Sequence, residues 1–395
     1  MKCILIFAAA LFAGTAYGQR SVDDVLREVE AASKELKAQR ELTAAQKMEA
    51  QTGKYLANPS VEFESLWGGA ERIRNSELTV MQAFDFPSAY ASRNKIAKLR
   101  SSYYDTEGAA LRQQLLLDAK TLCIQIVHLN RMKEFLSERV VNAERLDSAY
   151  RRKFAIGEAN ILECNKIGVE LISAKTEYNL NEAELLAKCQ QLATLTGTES
   201  DRFSGLVYPT VESLPAFEQL SALYMEQNPQ VQSLQQQVSV DKQSVSLNRS
   251  LSLPKFEMGY RHDFGGEGRF KGFKVGMSIP LFENKNKVKA ARAQAASSSA
   301  QLESVRLNAA SELRQLYDQA VTLRESMRSM ESVLLAQNNL SMLNKALDAG
   351  QITVIEYITE IGVLYQSRQM QLQLERRSEE RRGGKECRSR WSPYH

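Results

Sequence analysis

Glu163 and Glu356 each stand six residues beyond a glycine, Gly157 and Gly350, in the phrases FAIGEANILE and LDAGQITVIE. A carboxylate repeated at one spacing could serve as an acid–base group, a metal ligand or part of a charged ring. The rest of the reactive inventory decides how far to take that. Of five cysteines, four lie beyond residue 18: Cys123, Cys164, Cys189 and Cys387. They have no CxxC spacing and three fall within helical patterns, so isolated thiols are the default, with one disulfide open to them in an oxidising compartment. Only three histidines exist and one is the terminal His395, which supplies neither a histidine-rich metal site nor a histidine triad. The run FGGEG at 264–268 lacks the GxxxxGK order, closed by Ser or Thr, that cradles phosphate. Glutamate pairs abound on helical stretches, where a chain with 25% charged residues uses them as solvated faces. No catalytic residue, metal or cofactor is expected.

The ends need separating from the body. Residues 1–18 read as a secretory signal peptide: Lys2, then the apolar ILIFAAALFA, then small residues before Gln19. No cysteine follows that cut, which disfavours a lipoprotein, and no later run of 18 apolar residues suggests a spanning helix. The formal charge of +4 includes Lys2 and, from Arg381 on, five Arg or Lys against one Glu, so the body is near −1. A nucleic-acid partner is not expected. From Arg381 the apolar period stops, so 381–395 reads as an irregular basic tail, foreign to the rest and given no role.

The duplicated acids belong to a larger duplication. Gly157 and Gly350 each lie 70 residues after a proline, Pro87 and Pro280, that ends an alternating apolar stretch. Upstream, ANPSVEFESLW around Pro59 matches SLPKFEMGYRH around Pro254, at an offset of 195 rather than 193. The spacing predicts a first repeat over 19–195, a linker over 196–215 rich in Gly, Ser, Thr and Pro, and a second repeat over 216–380. Each repeat opens on a helix, 22–57 in the first. Period-two alternation then predicts strands at about 60–68 and 77–86, and at about 255–262 and 270–279, each hairpin with one aromatic-rich face. From Ser88 to Lys153 no proline interrupts a helical pattern, about 100 Å at 1.5 Å per residue. Ala309, Leu313, Leu316, Ala320, Leu323, Met327 and Met330 step by four and three, the seam of a coiled coil. The two glycines mark helix reversals. Strands of this length with one apolar side suit a membrane barrel. Asp85, Glu257 and Lys274, flanked at period two by apolar residues, are candidate lumen residues.

This ordered set resembles the TolC-type outer-membrane efflux proteins over residues 22–377. NPSVEFE, VMQAFDFP and MSIPLF resemble that family's strand borders, and the two glycine phrases resemble its helix turns at the periplasmic tip. ANPSVEFE leans toward the heavy-metal-efflux branch. The resemblance implies a mainly α chain with a β-barrel part: a homotrimer whose twelve-stranded outer-membrane barrel continues into a periplasmic coiled-coil tunnel. Four strands fall short of the barrel minimum of about eight, so an oligomer is needed in any case; two copies or three would suffice. The resemblance further implies passive conduction for an inner-membrane pump, such as an RND transporter or ABC exporter, bridged by a periplasmic adaptor (membrane fusion protein). It makes Gly157 and Gly350 adaptor-docking turns, and Glu163, Glu356 and Glu360 a candidate periplasmic gate. Nine residues past Gly350, where the family's pattern has an acid, stands Thr359. Type I secretion would use the same architecture. Outside the channel class, the alternative is a soluble periplasmic coiled-coil adaptor or scaffold whose hairpins form a small β domain.

Overall fold

Prolines and capping side chains set the element boundaries in the computed structural model, which describes residues 20–68, 73–197, 203–209, 215–265, 269–334 and 339–390. The signal peptide read over 1–18, much of the 196–215 linker and residues 391–395 lie outside these. Helix α1 (Val22–Ala32) starts at a Ser21–Asp24 capping box and α2 (Lys34–Thr52) follows at once. The single helix expected over 22–57 is thus broken at Ser33. Val22, Val25, Leu26 and Val29 form a buried stripe on α1, whereas α2 buries only Leu36, so no common apolar face runs through the break.

The first hairpin is β1 (Ser60–Gly68) and β2 (Ile73–Phe84). Pro87 then occupies the first position of α3 (Pro87–Ala155), where its missing N–H costs nothing. Helix α4 (Ile161–Thr196) ends at Gly197 in the left-handed region. The second repeat opens with α5 (Phe217–Gln227) and α6 (Pro229–Ser250), separated by Asn228, whose side chain caps α6 ahead of Pro229. The second hairpin is β3 (Lys255–Asp263) and β4 (Lys271–Ser278), followed by α7 (Lys287–Leu334), α8 (Asn339–Asp348) and α9 (Val354–Arg390). Helix α9 corrects the expectation of an irregular stretch from 381: it continues to Arg390. Extending a helix that is already nucleated is cheap, and the Arg, Lys and Glu on either side of Gly383 and Gly384 are good helix formers.

The four strands make one antiparallel sheet in the order β1-β2-β3-β4, so the two repeats join through β2 and β3. The described chain falls into two compact units, and neither is a repeat. One takes α1, α3 from Leu116, α4, 203–209, α7 from Ala320, and α8 and α9 up to Gly384. The other takes α2, the sheet, α3 up to Leu115, α5, α6 and α7 up to Gln319.

In the helical unit Leu146, Ile167, Leu347, Val354, Tyr357, Ile361 and Tyr365 form one buried cluster. The sheet-bearing unit buries Leu220, Tyr224, Val231, Ala309 and Leu313, and the Phe217 and Tyr317 rings meet edge-on at 5.4 Å. Among the described residues no helix is long and apolar enough to cross a membrane.

Candidate functional site

The two glycine phrases fold into the same reversal. At the end of α3, the Gly157 N–H donates to the Phe154 carbonyl and the Glu158 N–H to the Lys153 carbonyl (3.1 and 2.8 Å). At the end of α8, Gly350 and Gln351 donate to Leu347 and Ala346 at the same two distances. Both are Schellman closures, and both glycines take the positive φ they require, 80° and 69°.

Three residues past each glycine stands a helix cap. Asn160 accepts from the Glu163 N–H at 2.9 Å, and the Glu163 carboxylate accepts the Asn160 N–H at 2.9 Å. Thr353 and Glu356 repeat this capping box, at 3.2 and 2.8 Å. The six-residue spacing from glycine to glutamate is therefore that of a helix stop and restart. The backbone N–H of Thr353, then its hydroxyl, hold the Glu356 carboxyl below the usual range. Glu360 is exposed one turn further along α9. NILE and TVIE are readable capping-box patterns, so this role was open to sequence reading and was missed.

Behind the reversals lies a polar layer that no local pattern announces. Asn142 donates to the Tyr357 and Tyr365 hydroxyls (2.9 and 3.2 Å), and Tyr357 donates to Asn344 (2.7 Å). Burial pushes the Tyr365 hydroxyl up to about 12 and also raises Tyr357. Arg139 lies over the Tyr365 ring and pairs with Glu170 and Glu177 at 2.9 and 2.8 Å.

Higher on α3, His128 is buried, and its Nδ1 has no partner among the described residues. Burial, with Arg376 and Arg131 nearby, lowers its pKa from 6.5 to about 4. The unfolded chain therefore binds a proton between those two values that the folded chain refuses, so this contribution to stability falls as the pH drops. About 2 kcal/mol is expected to go between pH 7 and pH 5. His128→Phe should flatten that dependence in the denaturant midpoint.

The sheet has the reverse polarity of one in a water-soluble core. One face carries the cross-strand row Val61, Val80, Tyr260, Phe273, flanked by Phe63, Leu78, Met258, Val275 and Met277. Phe273 is 91% exposed, Val275 72% and Val61 66%. The other face carries Glu62, Glu64, Glu77, Thr79, Glu257, Arg261 and Lys274. There Thr79 is buried and Arg261 pairs with Glu77 at 2.5 Å. Glu257 and Lys274 thus share the polar face. Asp85 lies one residue past the end of β2, where its N–H donates to the Tyr90 hydroxyl at 3.0 Å and its carboxylate pairs with Arg93 at 2.5 Å, and it lines one cavity with Glu257.

Residues 220–381 match the family described as outer membrane efflux protein. No curated protein matches the sequence. Among solved structures, CusC superposes with a TM-score of 0.80 at 14% identity, covering 94% of this chain and 95% of that one. The outer membrane protein VceC of Vibrio cholerae gives 0.77 at 12% identity, covering 92% and 95%. The CmeC outer membrane channel of Campylobacter jejuni gives 0.70 at 12% identity, covering 93% and 85%. At these identities the likeness is one of fold.

Proposed function

We propose that this chain, whose residues 220–381 match the outer membrane efflux protein family, is a channel of that family and not an enzyme, and that it is the outer-membrane exit channel of a tripartite efflux system. It passively conducts solutes delivered by an inner-membrane pump through a periplasmic adaptor to the exterior. The observation that carries this reading is the sheet: an exposed apolar face, a polar face with buried and paired groups, and four strands whose two outer edges are unpaired among the described residues. Backbone groups at a sheet edge find no hydrogen-bond partner in lipid, so such a sheet is stable there only as part of a closed barrel. Three copies supply twelve strands around a lumen that Glu257 and Lys274 face, with Asp85 at its rim.

The reversals at Gly157 and Gly350 are the turns the adaptor docks on, rigid because each is closed by a Schellman motif and a capping box. Glu163 and Glu356, one at the restart after each turn, and Glu360 one helical turn beyond Glu356 supply negative charge to the periplasmic entrance. The test is fractionation of cells expressing the full chain, sizing of the detergent extract and reconstitution in planar bilayers. Recovery in the outer membrane as a particle near three protomers, with ion conductance, is expected. A detergent-free soluble monomer would overturn the reading in favour of a periplasmic adaptor or scaffold.

A further inference from the structure

We propose that the segment between β4 and α7 is an interfacial anchor: Leu281 and Phe282 enter the acyl boundary of the periplasmic leaflet, and Lys285, Lys287 and Lys289 bind the anionic phospholipid headgroups there. The inference rests on the reading that the sheet sits in the outer membrane with its helices in the periplasm, and adds a lipid-binding surface to it.

The duplication supplies an internal control. Counting on from Pro87 and Pro280, Ser88 and Ala89 of the first repeat correspond to Leu281 and Phe282 of the second, and Ser92, Asn94 and Ile96 to Lys285, Lys287 and Lys289. In the first repeat this stretch packs on the chain. Ala89, Ser92 and Ile96 are buried, and the Ser88 hydroxyl meets that of Ser250 at 2.8 Å. Helix α3 starts at Pro87 itself. In the second repeat α7 starts only at Lys287, seven residues after the proline. Leu281 is 74% exposed and Phe282 84%, and the three lysines are exposed as well. Residues that pack have been exchanged for large apolar and cationic ones that do not.

Folding alone gives no reason for that exchange. Phe282 and Leu281 in water forfeit the gain of burial. Lysines before and within the first turn of a helix oppose its dipole, and α7 has no acid in that turn to offset them. None of the three has an ionic partner among the described residues. The one carboxylate of the loop, Glu283, turns back to Lys255 at 3.4 Å, and the Asn284 side chain donates to the Leu251 carbonyl at 2.5 Å. The loop is therefore tied down while its lysines stay unpaired.

Position and charge select the occupant. Val275, Met277 and Ile279 are exposed along the apolar side of β4 and its exit, and Leu281 follows at the same spacing of two. The patch thus continues the face that meets lipid in the proposed barrel. It lies at the end of β4 away from the hairpin turn, which in that reading is the periplasmic boundary. Apolar side chains beside clustered lysines match an acyl layer with a negatively charged surface. A second copy seated on Phe282 would bring Lys285, three residues on, into the same contact, at a desolvation cost that headgroup phosphates avoid.

The test uses the full chain with Trp67 and Trp391 replaced by Phe, reconstituted in vesicles of phosphatidylcholine and phosphatidylglycerol in equal parts, one or the other brominated on its acyl chains. Phe282→Trp supplies the reporter. Brominated phosphatidylglycerol should quench it about threefold more than brominated phosphatidylcholine, and Lys285→Gln, Lys287→Gln and Lys289→Gln together should bring the two lipids level. Equal quenching with the lysines in place would overturn the anionic preference and with it the anchor. A preference that survives the triple substitution would overturn the role of the lysines. If neither lipid quenches Phe282→Trp while both quench Val275→Trp, another copy covers Phe282, and the anchor fails with the barrel left standing. If Val275→Trp is unquenched too, the membrane reading itself falls.

Discussion

If the proposed barrel is right, Val275→Arg should remove the protein from the outer membrane, while Gly276→Arg, one residue further and on the opposite face, should leave it there. Val275 is 72% exposed on the apolar face of β4. In the proposed barrel that face meets lipid, and a lipid-facing arginine near the middle of a transmembrane strand costs about 2–4 kcal/mol, a cost every copy would bear. Gly276 faces the polar side, where an added Cβ meets only the Glu257 side chain at 3.4 and 3.6 Å, ordinary contact distances. An arginine there gains a carboxylate neighbour and keeps its hydration. The two variants have the same depth, strand and added charge, so a difference between them reads the face alone. Heat-sensitive oligomer on a detergent gel and outer-membrane yield are the measurements. Equal loss in both would mean that arginine disrupts the strand whatever it faces. Equal tolerance would mean that the apolar face does not meet lipid.

Arg139→Leu should destabilise the helical unit by about 3 kcal/mol, the lower end of what breaking a buried ion pair costs. The Arg139 side chain is 12% exposed and faces two carboxylates, Glu170 at 22% and Glu177 at 36%. Burial works against its charge, but hydrogen bonds and attraction from Glu170 and Glu177 outweigh it, and the arginine pKa is raised. Without the guanidinium, two partly buried carboxylates are left close together, and the stacking on Tyr365 is lost as well. Accelerated proteolysis and faster amide exchange around Tyr357 and Tyr365 are expected. Adding Glu170→Gln and Glu177→Gln should recover a large part of the loss, because a neutral amide needs no counter-charge. If the triple variant is no more stable than Arg139→Leu, packing on Tyr365 rather than charge accounts for the effect.

Much of the architecture was legible because it is written in local spacing. A period of two over eight or nine residues can satisfy only a strand with two unlike faces, so both hairpins were found, three strands to within a residue and β2 four residues late at its start and two at its end. A proline that ends one pattern and opens another marks the β2–α3 junction. What alternation did not signal is where the ladder stops: Asp85 lies just past β2, and Tyr90 and Arg93, five and eight residues on, engage its backbone and its carboxylate. The glutamates after Gly157 and Gly350 were read as candidates for charge chemistry before their capping bonds were seen.

By itself the sequence determined the duplication, the inverted polarity of the hairpins and the two reversals, each of which needs only neighbours within one or two turns. The tertiary structure alone decided which residues share a layer. Asn142 meets Tyr357, and Arg131 meets Glu375, across more than 200 residues of chain. It also decided that the compact units cut across both repeats, since α3 and α7 each contribute to both. The physical reason is one of range. Dihedral preference and face periodicity act between adjacent residues, whereas the pairing of buried polar groups and strand edges depends on where distant segments are brought by the burial of everything between them.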